Sequence, residues 1–241
     1  TLIRTDSNFG FAAVDFKETN KLIAGTIGKS KTRLHIVPGF IASEREGFTT
    51  TLGRGGSDYT AAIFAAALDA EILEIWTDVS GMMSADPRFV RNVRQIPRIN
   101  YREAMELSHF GAKVIYPPTI QPVMAKGIPV LVKNTFEPDA AGTLIEAESP
   151  DTGEIVRGIT SIDRISVLSL EGSGMVGIPG FSKRLFDALS RAEINVILIT
   201  QSSSEHSICV AIEEKHSDRA KRVVDREFEY EINIGKIDPL K

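Results

Sequence analysis

TTTLGRGGSDYTAAIFAAALD, residues 49–69, opens with three threonines and then sets Gly53, Gly55 and Gly56 around Arg54. An alanine-rich run without proline follows. The pattern reads as a glycine-rich loop that delivers the chain into a helix over residues 57–70. Ser57 is the expected N-cap, its hydroxyl accepting a hydrogen bond from a first-turn amide. Ala61, Ala62, Ala65, Ala66 and Ala67 are strong helix formers. Glycine lets a backbone approach a ligand closely, and a helix start gathers anions through its free N–H groups and dipole. Arg54 adds a planar fork of donors suited to a carboxylate or phosphate. A tight turn before a buried helix accounts for the same glycines without any ligand.

Upstream, Asn8-Phe9-Gly10 reads as a turn and residues 22–27 as a short strand. Gly28-Lys29-Ser30 imitates the end of a P-loop, but the glycine required five places earlier is Ile23, which excludes that motif. Residues 33–37 read as a strand that Pro38-Gly39 stops at a turn. Downstream, EILEIW at 71–76 reads as a buried strand ending on Thr77-Asp78. Helix then strand is half of an α/β unit, and in open α/β sheets ligands bind outside the carboxyl ends of strands. The next loop carries Asp86-Pro87-Arg88, then Arg91, Arg94 and Arg98; a solvated face and a phosphate contact both fit these arginines. Asn100 with Glu103 forms a capping box opening a helix that Gly111 is expected to end, with Lys113 just beyond. Pro117-Pro118 opens a further helix closed by Gly127, and residues 128–134 return to strand character.

The chain has 241 residues, room for two domains. Its 42% hydrophobic and 25% charged content is that of a globular protein. A net charge of -4 implies no general affinity for nucleic acid. No apolar run reaches membrane-spanning length, there is no secretory signal pattern, and no Asn-X-Ser/Thr site occurs. The one cysteine, Cys209, excludes an internal disulfide and suits a reducing, cytoplasmic setting. His35, His109, His206 and His216 are scattered without metal-ligand spacing, so no metal site is expected in the protein itself.

The polar stretch 146–158 marks the expected boundary between a domain at 1–146 and another at 147–241. In the second, a strand at 159–170, a glycine-rich loop at 172–180, an amphipathic helix at 181–192, strands at 194–200 and 206–212, a charged helix at 218–227 and a last strand at 228–234 give the order β-α-β-β-α-β. That is the split ferredoxin-like arrangement. Phosphoryl transfer needs donors and cations around the transferring group, Mg²⁺ and strict positioning, and in the first domain Arg54 with the loop amides, Asp58 and Lys113 are residue types that fit that list. By spacing alone they fit surface charges equally well.

Four ordered motifs narrow the choice. TLGRGGSDYTAA (51–62), EIWTDVSGMMSADPR (74–88), EAMELSHFGAKVIYP (103–117) and GTLI (142–145) resemble the aspartate kinases of the amino-acid kinase superfamily. Residues 174–208 resemble the ACT regulatory module of the threonine-sensitive, bifunctional aspartokinase–homoserine dehydrogenases. The resemblance implies a partial amino-acid-kinase αβα sandwich followed by a ferredoxin-like ACT domain. It implies transfer of the ATP γ-phosphate, with Mg²⁺, to the β-carboxylate of L-aspartate. Arg54 would hold the substrate carboxylate beside Gly55, Gly56 and Ser57, and Asp58 would organise the cationic groups around the phosphates. Thr77, Asp78, Met83 and Arg88 would lie at the nucleotide, and Lys113 would contact phosphate. An amino-acid effector, threonine or alternatively lysine, would bind at Met175, Gly177 and Gln201, and ACT pairing would build a homo-oligomer.

Two departures from the family stand out. Met83 occupies a position where the family carries an aromatic residue. The Lys-Phe-Gly-Gly strand and the substrate glutamate of the family do not appear, so a truncated polypeptide, inactive alone, is expected. An effector-binding module on an incomplete kinase half is the competing reading.

Overall fold

The computed structural model describes residues 1–10, 12–108, 114–150, 153 and 155–241. The chain divides into two compact units, Thr1–Ser161 and Ile162–Lys241.

The first unit begins with α1 (Phe16–Thr26), started by the Asp15 carboxylate, which accepts from the Glu18 N–H at 3.1 Å. Residues 22–26, expected in a strand, belong to this helix. Its cap lies seven residues before Leu22, and Thr19 and Ile23 stack one turn apart on the buried side. Residues 33–37 form no strand either. Leu34 is 74% and Ile36 91% exposed, so these apolar residues have no sheet to join. Pairing starts later, at β1 (Ile41–Ser43), antiparallel to β2 (Thr49–Thr51). The segment around Arg4 runs parallel to β1, with the Ser43 N–H on the Ile3 carbonyl and the Thr5 N–H on the Ser43 carbonyl.

β2 leads through the glycine loop into α2 (Gly56–Ala67) and then β3 (Leu73–Thr77). β4 (Arg98–Asn100), α3 (Tyr101–Leu107), α4 (Pro117–Lys126), β5 (Val130–Asn134) and β6 (Thr143–Glu146) complete the unit. The four strands lie in the order β3-β5-β6-β4; β3 and β5 are parallel, β4 and β6 are parallel, and β5 and β6 are antiparallel. One face of this sheet buries Ile75, Val130, Val132 and Ile145 against Ala62, Ala65, Ile120 and Val123 of the helices. Alternation along β5, with positions 130, 132 and 134 buried, sets that face. The capping box of Asn100 and Glu103 forms as expected, and α4 has its prolines in the first turn and Gly127 at its end with φ 68°. The expected helix end at Gly111 lies outside the described residues.

In the second unit, β7 (Ile165–Glu171), β8 (Leu198–Gln201) and β9 (Ser207–Glu213) form an antiparallel sheet in the order β7-β9-β8. α5 (Phe181–Arg191) and α6 (Ser217–Glu227) pack on it around Leu185, Leu189, Val224 and Phe228. The strand expected at 228–234 is instead the short helix α7 (Glu229–Asn233). Phe228 is fully buried and stacks on Phe181 at 5.6 Å between centroids. Arg184 grips Glu227 at the end of α6 and Glu231 in α7, which holds the two helices together. The final position beside β7 is taken by the segment after α7. The Ser169 N–H meets the Lys241 carbonyl at 3.0 Å, the Lys241 N–H returns to the Ser169 carbonyl at 3.2 Å, and the Asp238 N–H meets the Glu171 carbonyl at 2.8 Å.

Candidate active site

The β2–α2 loop turns on Gly53 (φ 72°) and Gly55 (φ 67°), both left-handed. Gly55 is the N-cap of α2, and no side chain among the described residues caps that helix. The cap expected from Ser57 is therefore absent: the left-handed turn carries Ser57 one residue into the helix, where it is exposed. Among the described residues the first-turn amides of α2 have no side-chain partner, and the Gly56 N–H bonds the Gly53 carbonyl at 3.2 Å. Arg54 stands between the two left-handed glycines, exposed, and its guanidinium has no partner among the described residues. Asp58, on the first turn of α2, is half-buried and likewise unpaired, and burial pushes its carboxyl above the usual carboxylate range.

Two aromatic residues that sequence reasoning passed over close this loop. A Cβ on Gly55 would stand 2.4 Å from Tyr116 Cβ, and one on Gly56 would stand 2.7 Å from Phe40 Cδ2. Phe40 itself adopts φ 73°, sparsely populated for a side chain of its size. It is held there by its N–H on Thr60 Oγ1 at 3.0 Å and by the Leu52 N–H on its carbonyl at 3.1 Å. The sequence signal was Pro38-Gly39, read as a strand stop; Phe40, just beyond it, is the residue that reaches the glycine loop.

A second feature sits at the carboxyl ends of the parallel pair. Thr77 and Asn134 are register partners ending β3 and β5. Beyond them opens a cavity of about 440 Å³, lined by Asp78, Ser80, Gly81, Met83, Asp86, Arg88, Leu107, Val114, Asn134 and Ile159 among others. Thr77 Oγ1 donates to Asp78 Oδ1 at 3.2 Å. Buried Asn134 donates to Ser80 Oγ at 2.8 Å, and Ser80 Oγ donates to Glu137 at 2.9 Å. Gln95 donates to the Ser80 carbonyl. Thr143 Oγ1 accepts from the Met82 N–H at 2.8 Å and donates to the Ile96 carbonyl at 2.6 Å. These bonds fix the turn at Gly81, where φ is 111°.

Met83 and Arg88 line this cavity, and Arg88 makes a forked ion pair with Asp86, Nη2 to Oδ2 at 2.6 Å. Hydrogen bonding from Arg88 holds the Asp86 carboxyl below its ordinary range. Arg54, Gly55, Gly56, Ser57 and Asp58 gather at the glycine loop, whereas Asp78, Met83 and Arg88 gather at the cavity. Lys113 lies outside the described residues. Among the described residues no group of three His, Cys, Asp or Glu side chains is placed to hold a metal ion.

In the second unit, Met175 is buried at the end of the short 3-10 turn Ser173–Met175, Gly177 has φ 69°, and Gln201 ends the exposed edge strand β8. No helix of the described residues is long and apolar enough to cross a membrane.

The sequence profile of the amino acid kinase family matches residues 3–134, more than half of the chain. The chain belongs to the amino acid kinase family. An ACT domain profile matches residues 168–228, so an amino-acid-kinase fold is followed by an ACT domain. A bifunctional aspartokinase/homoserine dehydrogenase of Haemophilus influenzae is 44% identical over 231 residues, 95% of this chain and 28% of that protein. Lysine-sensitive aspartokinase 3 of Escherichia coli is 40% identical over 215 residues, 88% of this chain and 47% of that protein. The crystal structure of E. coli aspartokinase III with aspartate and ADP superposes with TM-score 0.77 at 34% identity, covering 100% of this chain and 54% of that one. The chain thus spans under a third of the bifunctional relative and about half of aspartokinase III.

Proposed function

We propose that this chain carries the phosphoryl-transfer and effector-binding parts of an aspartate kinase, which makes β-aspartyl phosphate from L-aspartate and ATP. The observation that carries this reading is the unpaired Arg54 guanidinium between two left-handed glycines at the uncapped start of α2. A bidentate guanidinium at a helix start suits the substrate carboxylate, and Gly55, Gly56 and Ser57 are assigned to the same substrate loop. Likeness to an aspartokinase solved with aspartate and ADP supports the substrate pair.

The ATP is assigned to the cavity at Thr77 and Asp78, with Met83 against the base and Arg88 toward the phosphates. Lys113 is assigned to the transferring phosphoryl group. Mg²⁺ arriving with the nucleotide neutralises phosphate charge; such an ion keeps several waters and needs only one or two carboxylates, so no preformed cage is required. Asp58, at the start of α2, is assigned to organise the cationic groups around the phosphates rather than to react.

The ACT domain is assigned an amino-acid effector at Met175, Gly177 and Gln201. Threonine is the first choice, from the likeness of residues 174–208 to the bifunctional enzymes; lysine is the alternative, since aspartokinase III was solved with lysine. Pairing of ACT domains into a homo-oligomer and a cytoplasmic setting complete the reading.

Calorimetry on the 241-residue chain tests it. Wild type is expected to bind both L-aspartate and MgADP. Arg54→Lys is expected to weaken aspartate at least tenfold and leave MgADP unchanged, because lysine lacks the fork. Failure of wild type to bind either ligand, or equal effects on both, overturns the assignment.

A further inference from the structure

Two hydrogen bonds join the β7–α5 loop to the β8–β9 turn. The Gly172 N–H donates to the His206 carbonyl at 3.1 Å, and the Gly177 N–H donates to Glu205 Oε2 at 2.9 Å. In the second bond a side-chain carboxylate occupies the amide of Gly177, one of the residues assigned to the effector, and that amide suits a ligand carboxylate equally. Both residues are left-handed, Gly177 with φ 69° and Glu205 with φ 55°. Glycine adopts that conformation freely, whereas glutamate does so against steric preference. The turn enforces it: the Glu205 N–H bonds the Ser202 carbonyl at 3.0 Å, and the Ser202 N–H bonds the Ser207 carbonyl at 3.2 Å. The loop opposite is anchored by buried Met175, while nothing lies within 4 Å of where a Gly177 Cβ would be. The amide is therefore anchored on one side and open on the other.

Glu205 is exposed, so its bond to Gly177 exchanges readily for another anion. Exchange has a consequence for charge. A carboxylate that takes the Gly177 N–H leaves the displaced Glu205 beside it, two anions together, unless the ligand also brings a cation. A zwitterionic α-amino acid does so, because its ammonium group sits one carbon from its carboxylate. Building on the effector reading above, we infer that Glu205 is a specificity-determining residue of this site. It yields the Gly177 amide to the ligand carboxylate and takes the ligand ammonium in return. The site thereby admits α-amino acids and disfavours the 2-hydroxy acids of the same shape.

The test is calorimetry on the 241-residue chain with L-threonine and L-lysine, each beside its 2-hydroxy acid counterpart. Wild type is expected to prefer one amino acid over its hydroxy analogue by about tenfold or more, the size of a charged hydrogen-bond partner gained or repelled. Glu205→Gln is expected to erase that preference by weakening the amino acid and not the hydroxy acid. Glu205→Asn, which removes the charge and suits the left-handed backbone, is expected to do the same. A preference retained in both variants overturns the inference while the effector reading stands. Absence of binding by either amino acid to folded wild type removes the effector reading and the inference together.

Discussion

Gly55 and Tyr116 are interlocked: a Cβ on Gly55 would fall 2.4 Å from Tyr116 Cβ and 2.6 Å from its Cγ. Tyr116 is the N-cap residue of α4, so the glycine loop of α2 is seated against the start of a second helix. The loop that presents Arg54 is thus positioned by packing as well as by its own turn.

Gly55→Ala is accordingly expected to destabilise the first unit by about 2–4 kcal/mol, from the left-handed φ and overpacking together. Tyr116→Gly, tolerable at an N-cap, removes the opposing Cβ and should restore part of that loss in the double variant. Urea unfolding of the four species reads the coupling. A Gly55→Ala variant as stable as wild type would show that the loop has room the geometry denies.

Thr143 is the support beneath Gly81. Its hydroxyl is fully buried and satisfies both the Met82 N–H and the Ile96 carbonyl. Thr143→Val keeps the shape and orphans both groups, so a loss of about 1–3 kcal/mol in unfolding free energy is expected. A matching fall in MgADP affinity is expected as the turn at Gly81 loosens. Unchanged stability would mean that the two backbone groups find other partners.

What could be read from residues alone was what carries its own punctuation. The Asn100–Glu103 capping box, the prolines opening α4 and Gly127 closing it each declare a helix end through side-chain or backbone chemistry within four residues. The strands expected at 33–37 and 228–234 rested on apolar character alone. Leu34 and Ile36 lie exposed, and Phe228 is buried by a helix partner far away in sequence, Phe181. Neither outcome is local, so no window of the sequence contained it. At the candidate site the glycine loop was legible, whereas Phe40 and Tyr116 were not, because their role arises only when distant segments pack on the glycines.

Arg184 ties α5 to α6 and α7, meeting Glu227 at 3.1 Å and Glu231 at 2.5 Å and lying 4.4 Å over the Phe228 ring. Hydrogen bonding from Arg184 holds the Glu231 carboxyl below its ordinary range. A depressed carboxylate contributes stability above its unfolded pKa and loses it as pH falls through its folded pKa. Glu231→Gln should therefore cost about 1 kcal/mol at pH 7. The gap from wild type should close as pH drops below about 4. Urea midpoints at stepped pH check this; a gap constant with pH would exclude the ion pair as its source.

Asp58 shifts in the opposite direction. Burial raises its carboxyl pKa, no partner among the described residues compensates it, and the dipole at the start of α2 only partly offsets the penalty. A carboxyl with a raised folded pKa contributes stability below its unfolded pKa and loses it as pH rises through its folded pKa. Ionised Asp58 is thus a burden on the fold at neutral pH. Asp58→Asn should improve relative to wild type between pH 4 and pH 7, by about 0.5 kcal/mol given the half-exposed site. The same substitution should weaken MgADP binding or aspartate-dependent turnover of an active full-length enzyme at least tenfold. Unfolding curves at the two pH values separate the cases. Stability lost on approaching pH 7, with ligand binding intact, would make Asp58 an ordinary helix-start carboxylate and remove it from the site.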